Sequence, residues 1–320
     1  MRLRSRVFPA SLAWSIAVGC TAGEDPSPLL GEASGTGGSL SSVSSESDAE
    51  GTPGDLDSAG PAEVGDEGSS GPLLDVGALD TGPSTTDGEA YVDWLLNSEE
   101  GALWHISRVD AKPTQLCELF HPTTGESISF SSMTFTRDDR LFGSGADELY
   151  EVLLPECDVE FVGAFGTGVT GVNGISPDEG YGLFAVDSDT DSLYRVDPDT
   201  AVATLVGYAG YDIGFGGATW VETEQELMAI DANNDSLYEV DTQTGVYSLV
   251  APLTETFGLV GFEHHPHGGQ LYGCTNNNGS TLRGVYEIAL DGTMTFIGDP
   301  GFSCNDLAAP WANPPLPIPD

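Results

Sequence analysis

The hydrophobic pattern of residues 172–214 predicts four short β-strands that are separated by polar turns. The expected strands are VNGIS, LFAVD, LYRVD and AVATLVG, and the turns between them are PDEGYG, SDTDS and PDT. Apolar residues alternate with polar ones in the strands, and β-branched and aromatic residues are frequent. This alternation has the period of a strand with one buried face, and no segment has a convincing helical period. The unit is therefore expected to fold as a four-stranded sheet.

The same strand–turn–strand pattern recurs at regular intervals along the chain. Segments related to LYRVDPDTAVATLVG begin at five positions, which are Leu103, Leu149, Leu193, Leu237 and Val285. Successive copies are 44 to 48 residues apart. Four strands in about 44 residues is the size of one blade of a β-propeller. A stacked β-solenoid is the alternative, but its coils are usually shorter.

The ends of the repeat array predict the number of blades. Complete units cover 127–171, 172–214, 215–258 and 259–302. The segment before them supplies only three strands, and the segment CNDLAAPW after them resembles an inner strand. We therefore expect an all-β, five-bladed propeller over residues 90–311, with a Pro-rich tail at 312–320. The C-terminal inner strand would complete the first blade and close the ring, which removes free sheet edges.

The repeats, of the type LYxVDxxTG, resemble a broad class of secreted bacterial propellers. This class includes domains of unknown function and relatives of the PQQ-like and YVTN families. The resemblance covers about 90–311 and rests on strand and turn residues that any such blade needs. It implies the fold and says little about activity, because the sequence lacks the tryptophan-docking motif of PQQ enzymes and a run of catalytic residues.

The first twenty residues, MRLRSRVFPASLAWSIAVGC, have the organisation of an export signal. Three arginines precede a mostly apolar stretch that is too short to span a bilayer. Small residues directly before Cys20 resemble the lipobox of bacterial lipoproteins, although Ala17 replaces the usual Leu. The resemblance implies a lipoprotein signal peptide at 1–19, a diacylglyceryl group on the sulfur of Cys20, and a membrane anchor. An ordinary secretory signal that is cleaved nearby is the alternative.

Residues 20–89 form an acidic segment that is rich in Gly, Ser, Thr and Pro. It has fifteen acidic residues and no Lys or Arg. Because its apolar surface is too small to offset the entropy cost of folding, we expect a disordered tether. Such a tether after a lipidated Cys20 would hold the domain away from a membrane. The inner-membrane retention signal of some lipoproteins, an Asp, is replaced by Thr21, which favours the bacterial outer membrane.

The formal net charge of the chain is -42, and most of it lies on the predicted domain. Residues 90–320 contain 36 acidic and 6 basic residues. A charge of this sign excludes nucleic acid and anionic membrane surfaces as binding partners. Cationic partners and divalent ions are electrostatically favoured. Solubility or adaptation to a salty habitat would explain the acidity equally well.

Four cysteines follow Cys20, which is the even number expected for disulfides in an exported protein. Cys274 ends the second strand of one blade, and Cys304 lies in the loop that enters the closing strand. Cys117 lies in the outer strand of the first blade, and Cys157 lies near the outer hairpin of the next. We therefore predict the disulfides Cys274–Cys304 and Cys117–Cys157.

The stretch DSDTDSLYRVDPDT begins like a calcium loop, with Asp187, Asp189 and Asp191 at alternate positions. An EF-hand requires Gly at its sixth position and Glu at its twelfth. This chain has Ser192 and Pro198 there. Aspartates in turns hydrogen-bond to their own backbone, which explains them without a metal. A weak surface calcium site at the three aspartates is the alternative, and no other cofactor is predicted.

Three histidines, His264, His265 and His267, form the segment HHPH in the expected turn between the first two strands of the last blade. Clustered histidines can bind zinc or copper. Because Pro266 turns the chain and adjacent residues rarely point at one ion, we favour a solvent-exposed turn.

Catalysis would depend on carboxylates in the central channel. The sequence contains no Ser in a G-x-S-x-G turn and no plausible Cys–His arrangement. Some five-bladed propellers are glycoside hydrolases, which use two carboxylates. The expected inner strands supply Asn173, Glu263, Asn305 and Asp306. A secreted hydrolase or lyase is therefore the alternative function.

Aromatic residues fall in the connections between blades, at Tyr208, Tyr211, Phe215, Phe257 and Phe302. Loops on one face of a rigid ring are where propellers usually bind partners. Packing between blades is the other explanation for these side chains. The sequence thus favours a monomeric cell-envelope lipoprotein whose propeller binds a protein, a glycan or an ion.

Overall fold

The computed structural model describes residues 93–214, 216–258, 260–276 and 283–317 of the 320-residue chain. The signal peptide 1–19, Cys20 and the tether 20–89 lie outside the described residues, so the predictions about them stay predictions. In the part of the chain that is described, no helix is long and apolar enough to cross a membrane.

Five antiparallel sheets, here called blades 1 to 5 in chain order, form a propeller ring. Blade 1 contains β1 (Trp94–Glu99), β2 (Ala102–Ser107) and β3 (Pro113–Glu118). Blade 2 contains β4 (Ser132–Phe135), β5 (Leu141–Ser144), β6 (Glu148–Leu153) and β7 (Asp158–Ala164). Blade 3 contains β8 (Val172–Pro177), β9 (Leu183–Asp187), β10 (Ser192–Val196) and β11 (Ala203–Tyr208).

Blades 4 and 5 have the same organisation, in which each strand pairs with the next one along the chain. Blade 4 contains β12 (Ala218–Val221), β13 (Glu226–Asp231), β14 (Ser236–Val240) and β15 (Tyr247–Pro252). Blade 5 contains β16 (Val260–His265), β17 (Gln270–Thr275), β18 (Gly284–Ile288) and β19 (Met294–Gly298). The predicted all-β propeller with five blades is therefore confirmed.

The C-terminal segment closes the ring at the inner edge of blade 1. Leu96 and Ala308 exchange two backbone hydrogen bonds, with N–O distances of 2.8 and 2.9 Å. The side-chain amide of Asn97 donates to the carbonyl oxygen of Asp306 at 2.8 Å. These contacts confirm that the C-terminal strand completes the first blade, although the regular backbone pairing is limited to one β-bridge.

Both predicted disulfides are present. Cys117–Cys157 joins blade 1 to blade 2, with 6.4 Å between the Cα atoms. Cys274–Cys304 joins β17 to the segment that enters the closing strand, with 5.5 Å between the Cα atoms. Two disulfides indicate that the protein folds in an oxidising compartment outside the cytoplasm.

The hydrophobic core is divided among the junctions between blades. Buried side chains form five clusters, and each cluster draws its members from two adjacent blades. Phe184 of blade 3, for example, stacks on Trp220 of blade 4 with 6.5 Å between ring centroids. Because each strand alternates apolar and polar residues, one face of every blade can pack on its neighbour.

A β-bulge recurs in every blade between the two outermost strands. It directly precedes an aromatic residue that pairs with the outer strand. The five pairs are Trp104–Gln115, Tyr150–Phe161, Tyr194–Leu205, Tyr238–Leu249 and Tyr286–Phe296. The bulge explains why the outer strand of the repeat, such as AVATLVG, is longer than its partner.

A second repeated contact, here called the seam, joins the outer strand of each blade to the next blade. A small residue of the outer strand packs against a turn residue that has a positive φ angle, between 55° and 82°. The five seams are Cys117–Cys157, Gly163–Ala201, Gly207–Gly245, Ala251–Gly292 and Gly298–Ala111. Only glycine adopts positive φ without strain, and only small residues permit such a close approach. The seam therefore explains the small residues that recur in the turn and the outer strand of the repeat.

Candidate binding site

A buried carboxyl group links the inner strands of three blades. Glu263 of β16 is 3% exposed and lies between the inner strands of blades 2 and 4. The hydroxyl of Thr219 donates to its Oε1 at 3.1 Å, and the hydroxyl of Thr134 donates to its Oε2 at 3.4 Å. Burial raises the pKa of Glu263 well above its usual range, against the hydrogen bonds that lower it. Glu263 therefore connects three blades across the axis of the ring.

Asp306 of the closing segment has a similar role at the first blade. Its Oδ1 accepts the backbone N–H of Ser98 at 3.0 Å, and its other oxygen contacts the Ser98 hydroxyl. The side-chain amide of Asn97 also donates to it. Burial raises the pKa of Asp306 to about 8, although the hydrogen bonds from Ser98 act in the opposite direction. The carboxyl group thus fastens the closing strand to β1.

The amides that were expected in the channel are also engaged. The Nδ2 of Asn173 donates to the hydroxyl of Ser188 at 2.6 Å. The Oδ1 of Asn305 accepts from the side chain of Asn276 at 3.4 Å. The polar groups that sequence reasoning assigned to a catalytic channel therefore serve contacts within the ring.

The three aspartates of the calcium-like stretch lie at one turn but make separate contacts. Asp187 is fully buried, and its two oxygens accept the backbone N–H groups of Thr170, Asp189 and Thr190 at 2.9 to 3.1 Å. Asp191 accepts the N–H of Ile213 at 2.9 Å. Among the described residues, no three His, Cys, Asp or Glu side chains are grouped so that they could hold a metal ion. Calcium binding by Asp187, Asp189 and Asp191 stays a prediction.

The expected exposed turn at the histidines is wrong for two of them. His264 and His265 belong to β16 and are buried, whereas His267 lies in the following turn. Burial lowers the pKa of His264 to about 4 and that of His265 to about 3. The strand extends through both residues because it pairs with β17 as far as His265. Only Pro266 then turns the chain.

Two of the aromatic residues in the inter-blade connections are buried. The prediction that Phe257 and Phe302 could present a binding surface is wrong, since they are buried against Tyr286 and Trp104 at centroid distances of 6.0 and 4.9 Å. Their role is packing, because a large apolar side chain gains most from burial.

The other three aromatic positions are Tyr211, Phe215 and Tyr208. Tyr211 is half-buried against Tyr238 and Tyr247. Phe215 lies outside the described residues. Tyr208 alone among the four described positions is strongly exposed, with 61% of its surface accessible.

Tyr208 lies at the edge of an open cleft of about 510 Å³, here called the Tyr208 cleft. One wall is the loop 165–169, which leads from blade 2 to blade 3, and the other consists of β10, β11 and the turn before them. The volume falls within the roughly 300–1,000 Å³ that is usual for small-molecule sites. The cleft therefore has the size of a ligand site on the outside of the ring.

The Tyr208 cleft combines apolar surface with polar groups that lack partners. Leu205 and Val202 of its floor are 43% and 57% exposed. The hydroxyl oxygen of Thr190 is buried and has no hydrogen-bond partner within the described residues. The hydroxyl of Tyr194 donates to the carbonyl of Gly168 at 3.2 Å and fixes the loop against β10. A ligand in the cleft could therefore pack on the exposed tyrosine ring and on Leu205 and Val202.

Sequence reasoning singled out Tyr208 but missed the rest of the cleft. Its loop has the sequence FGTGV, and both glycines have positive φ angles, 109° at Gly166 and 94° at Gly168. A glycine-rich connection between two blades was the available signal. Thr190, which lies inside the calcium-like stretch, carried no signal of its own.

No family model matches the chain, and no curated protein matches it. Similar solved structures include a protein of unknown function from Bacteroides thetaiotaomicron, with 16% identity over 72% of this chain and 70% of that one, at a TM-score of 0.47. Another, of unknown function from Bacteroides caccae, has 11% identity over 67% and 97% of the two chains, at 0.46. A catalytically inactive variant of virginiamycin B lyase from Staphylococcus aureus has 14% identity over 68% and 74%, at 0.42. The likeness concerns the fold alone.

Proposed function

We propose that this protein is a cell-envelope lipoprotein whose propeller binds a protein or a glycan through the Tyr208 cleft. The observation that carries the proposal is the exposed ring of Tyr208, which lies with the exposed side chains of Leu205 and Val202 in an open cleft of ligand size. Apolar and aromatic side chains that line a concave surface are typical of ligand sites, because a ligand that covers them removes apolar surface from water.

The placement at the cell envelope is supported by the cysteines of the chain. The two disulfides favour an oxidising compartment. The cysteine at position 20, in its lipobox-like context, would carry the lipid anchor in the outer membrane. Stable anchoring takes two signals, and two or more acyl chains on Cys20 would provide them.

A hydrolase or lyase that uses Glu263 and Asp306 is the second candidate function. The raised pKa values of both carboxyl groups are a feature of general acids. Both groups are buried, however, and each is hydrogen-bonded to other blades or strands. Structural contacts between blades therefore explain them better than catalysis does.

The proposal is tested in two steps with the full chain. The wild-type protein is expected in the membrane fraction, with a mature N-terminal peptide whose mass includes a lipid on Cys20. After an alkaline carbonate wash, which releases peripherally bound protein, the Cys20→Ala protein is expected in the soluble fraction, whereas the lipid-anchored wild type stays with the membrane. Membrane partition of Cys20→Ala with an unchanged N-terminus would contradict the anchor.

The soluble Cys20→Ala chain then serves as a probe for binding. It is expected to sediment with isolated cell envelopes, and Tyr208→Ala in the same background is expected to reduce that binding at least tenfold. Equal sedimentation of both proteins would place the binding surface elsewhere, and no sedimentation of either would contradict the binding function.

A further inference from the structure

The Tyr208 cleft has no charged lining residue, on a domain that is strongly acidic. Its polar lining side chains are Thr167, Thr190, Ser192, Tyr194 and Tyr208, and the others are apolar or glycine. By contrast, a smaller cleft of about 230 Å³ between blades 4 and 5 contains Glu224 and Glu287. The neutrality of the larger cleft is therefore a local property.

The charge of the domain and the lining of the cleft together indicate the charge of the ligand. An anionic ligand would be repelled by a domain with 36 acidic and 6 basic residues. A cationic ligand would find no carboxylate among the residues that line the cleft. A neutral ligand is the remaining class, because it neither opposes the field of the domain nor requires an ion pair.

Hydrogen-bonding groups distinguish among neutral ligands. Gly166, Thr167 and Gly168 are exposed residues, and their backbone N–H groups donate to no group in the described part of the chain. The hydroxyl of Thr190 is unpaired as well and can both donate and accept, but its oxygen is buried, so a ligand reaches it only when the side chain rotates toward the cleft. An occupant needs several acceptors on one rim and at least one donor, together with an apolar face for the tyrosine ring.

We infer that the Tyr208 cleft binds a neutral glycan, an inference that rests on the proposed binding function. The apolar C–H face of a sugar ring packs on the exposed face of Tyr208. The hydroxyls of the sugar accept from the amides of 166–168 and pair with Thr190. An apolar peptide would satisfy the tyrosine ring but supplies fewer groups that both donate and accept.

Glycine at 166 and 168 keeps the cleft open on the loop side. A Cβ added at either position would meet no atom within 4 Å, so these positions border empty space. The tyrosine at 194 holds the loop in place through its hydrogen bond to Gly168. The amides are thus presented by a loop that is anchored to a strand, which reduces the entropy cost of binding.

Titration calorimetry with the soluble Cys20→Ala chain tests the inference. The probes are maltohexaose, cellohexaose, mannohexaose and chitohexaose, with hexagalacturonate as a charged oligosaccharide and an apolar hexapeptide as the alternative ligand. We expect saturable binding of at least one neutral hexasaccharide and none of hexagalacturonate.

Matched variants link the binding to the cleft. Tyr208→Ala is expected to weaken binding at least tenfold, whereas Tyr208→Phe, which keeps the ring, changes it less than threefold. Thr190→Val is expected to weaken binding about tenfold, and Thr190→Ser restores it. Tyr181→Ala is the control, because Tyr181 is 70% exposed at the turn on the opposite edge of blade 3.

Three calorimetric results would contradict the inference. Absence of binding by all four neutral hexasaccharides, or binding that Tyr208→Ala leaves unchanged, contradicts a glycan site in the cleft. Preference for the apolar hexapeptide assigns the cleft to a protein partner. If Cys20→Ala still sediments with envelopes in these cases, the binding function stands and only the glycan is wrong.

Discussion

Cys117 and Cys157 form a disulfide at the seam between blades 1 and 2, whereas the four other seams consist of closely packed Gly and Ala residues. Cys157 has a φ angle of 61°, and its counterparts Ala201 and Ala111 have 58° and 55°. The backbone is therefore the same with and without the sulfur bridge. The covalent bond has been added to a geometry that the repeat already provides.

The double variant Cys117→Gly/Cys157→Ala converts this seam to the composition of Gly163–Ala201. We expect a folded propeller whose free energy of unfolding is about 3 to 4 kcal/mol lower, because the unfolded chain loses a cross-link across 40 residues. Denaturant unfolding monitored by tryptophan fluorescence measures the change. Loss of the native circular dichroism spectrum without denaturant would show that the ring needs the disulfide to form.

The reverse experiment adds a disulfide at the neighbouring seam. A Cβ at Gly163 would lie 3.2 Å from the Cβ of Ala201, close to the roughly 3.5–4.5 Å of natural disulfides. Gly163→Cys/Ala201→Cys is therefore expected to form an additional bridge under oxidation. Mass spectrometry of a non-reduced digest detects it, with Gly163→Cys alone as the control. Two free thiols after oxidation would show that the seam cannot adjust by a few tenths of an ångström.

The stability of the ring should fall as the pH rises through neutrality. Asp306 has a pKa of about 8 in the folded protein and an ordinary pKa near 3.8 when unfolded. Its contribution is thus complete below pH 3.8 and is lost as the pH rises toward 8. Asp306→Asn mimics the protonated group and removes this loss.

The comparison is made with denaturation midpoints at pH 5 and pH 8. Relative to wild type, Asp306→Asn should be more stable at pH 8 than at pH 5 by roughly 2 kcal/mol or more. The charged residue Glu151, which is paired with Arg140 at the surface, offers a control in Glu151→Gln. A difference between wild type and Asp306→Asn that does not change with pH would mean that Asp306 is ionised in the folded state.

The two buried histidines should make the stability of the protein depend on pH in the opposite direction. Burial lowers their pKa values from the usual 6.5 to about 4 for His264 and about 3 for His265. The unfolded chain therefore binds more protons below pH 6.5, and stability falls as the pH drops toward 4. Nuclear magnetic resonance should show no titration of either ring between pH 8 and pH 5. A midpoint near 6.5 for either ring would contradict its burial.

Asp187 and Asp189 should differ in their effect on stability although they are two residues apart. Asp187 is buried and accepts three backbone N–H groups, whereas Asp189 is exposed. Asp187→Ala is expected to cost roughly 2 to 4 kcal/mol, and Asp189→Ala less than about 0.5 kcal/mol. Thermal unfolding of both variants measures this. A calcium-dependent rise in the melting temperature that Asp189→Ala abolishes would instead support a metal site.

The fold could be predicted because its signals are local and repeated. Alternation of apolar and polar residues defines each strand, and the five related segments that begin at Leu103, Leu149, Leu193, Leu237 and Val285 define the blades. The positions of Cys274 and Cys304 within this pattern were sufficient for the disulfide, because equivalent loops of neighbouring blades emerge on the same face.

The site could not be predicted in the same way, because burial depends on residues that are distant in sequence. Glu263 accepts a hydrogen bond from Thr134, which lies in another blade and 129 residues away in the chain. Phe257 and Phe302 lie in the same kind of inter-blade connection as Tyr208. They pack against Tyr286 and Trp104, respectively, whereas Tyr208 is 61% exposed. The histidine segment was misjudged for the same reason, since the length of β16 depends on its pairing with β17.

The sequence by itself thus determined the strands, the five blades, the closure by the C-terminal segment and the pairing of the cysteines. These features follow from side-chain periodicity and from the spacing of the repeats, which each segment of the chain carries within itself. Only the tertiary structure decided that the acids of the inner strands are buried contacts and that an uncharged cleft opens beside Tyr208. Exposure and unpaired hydrogen-bonding groups are properties of the packed blades, because they depend on what every neighbouring segment leaves uncovered.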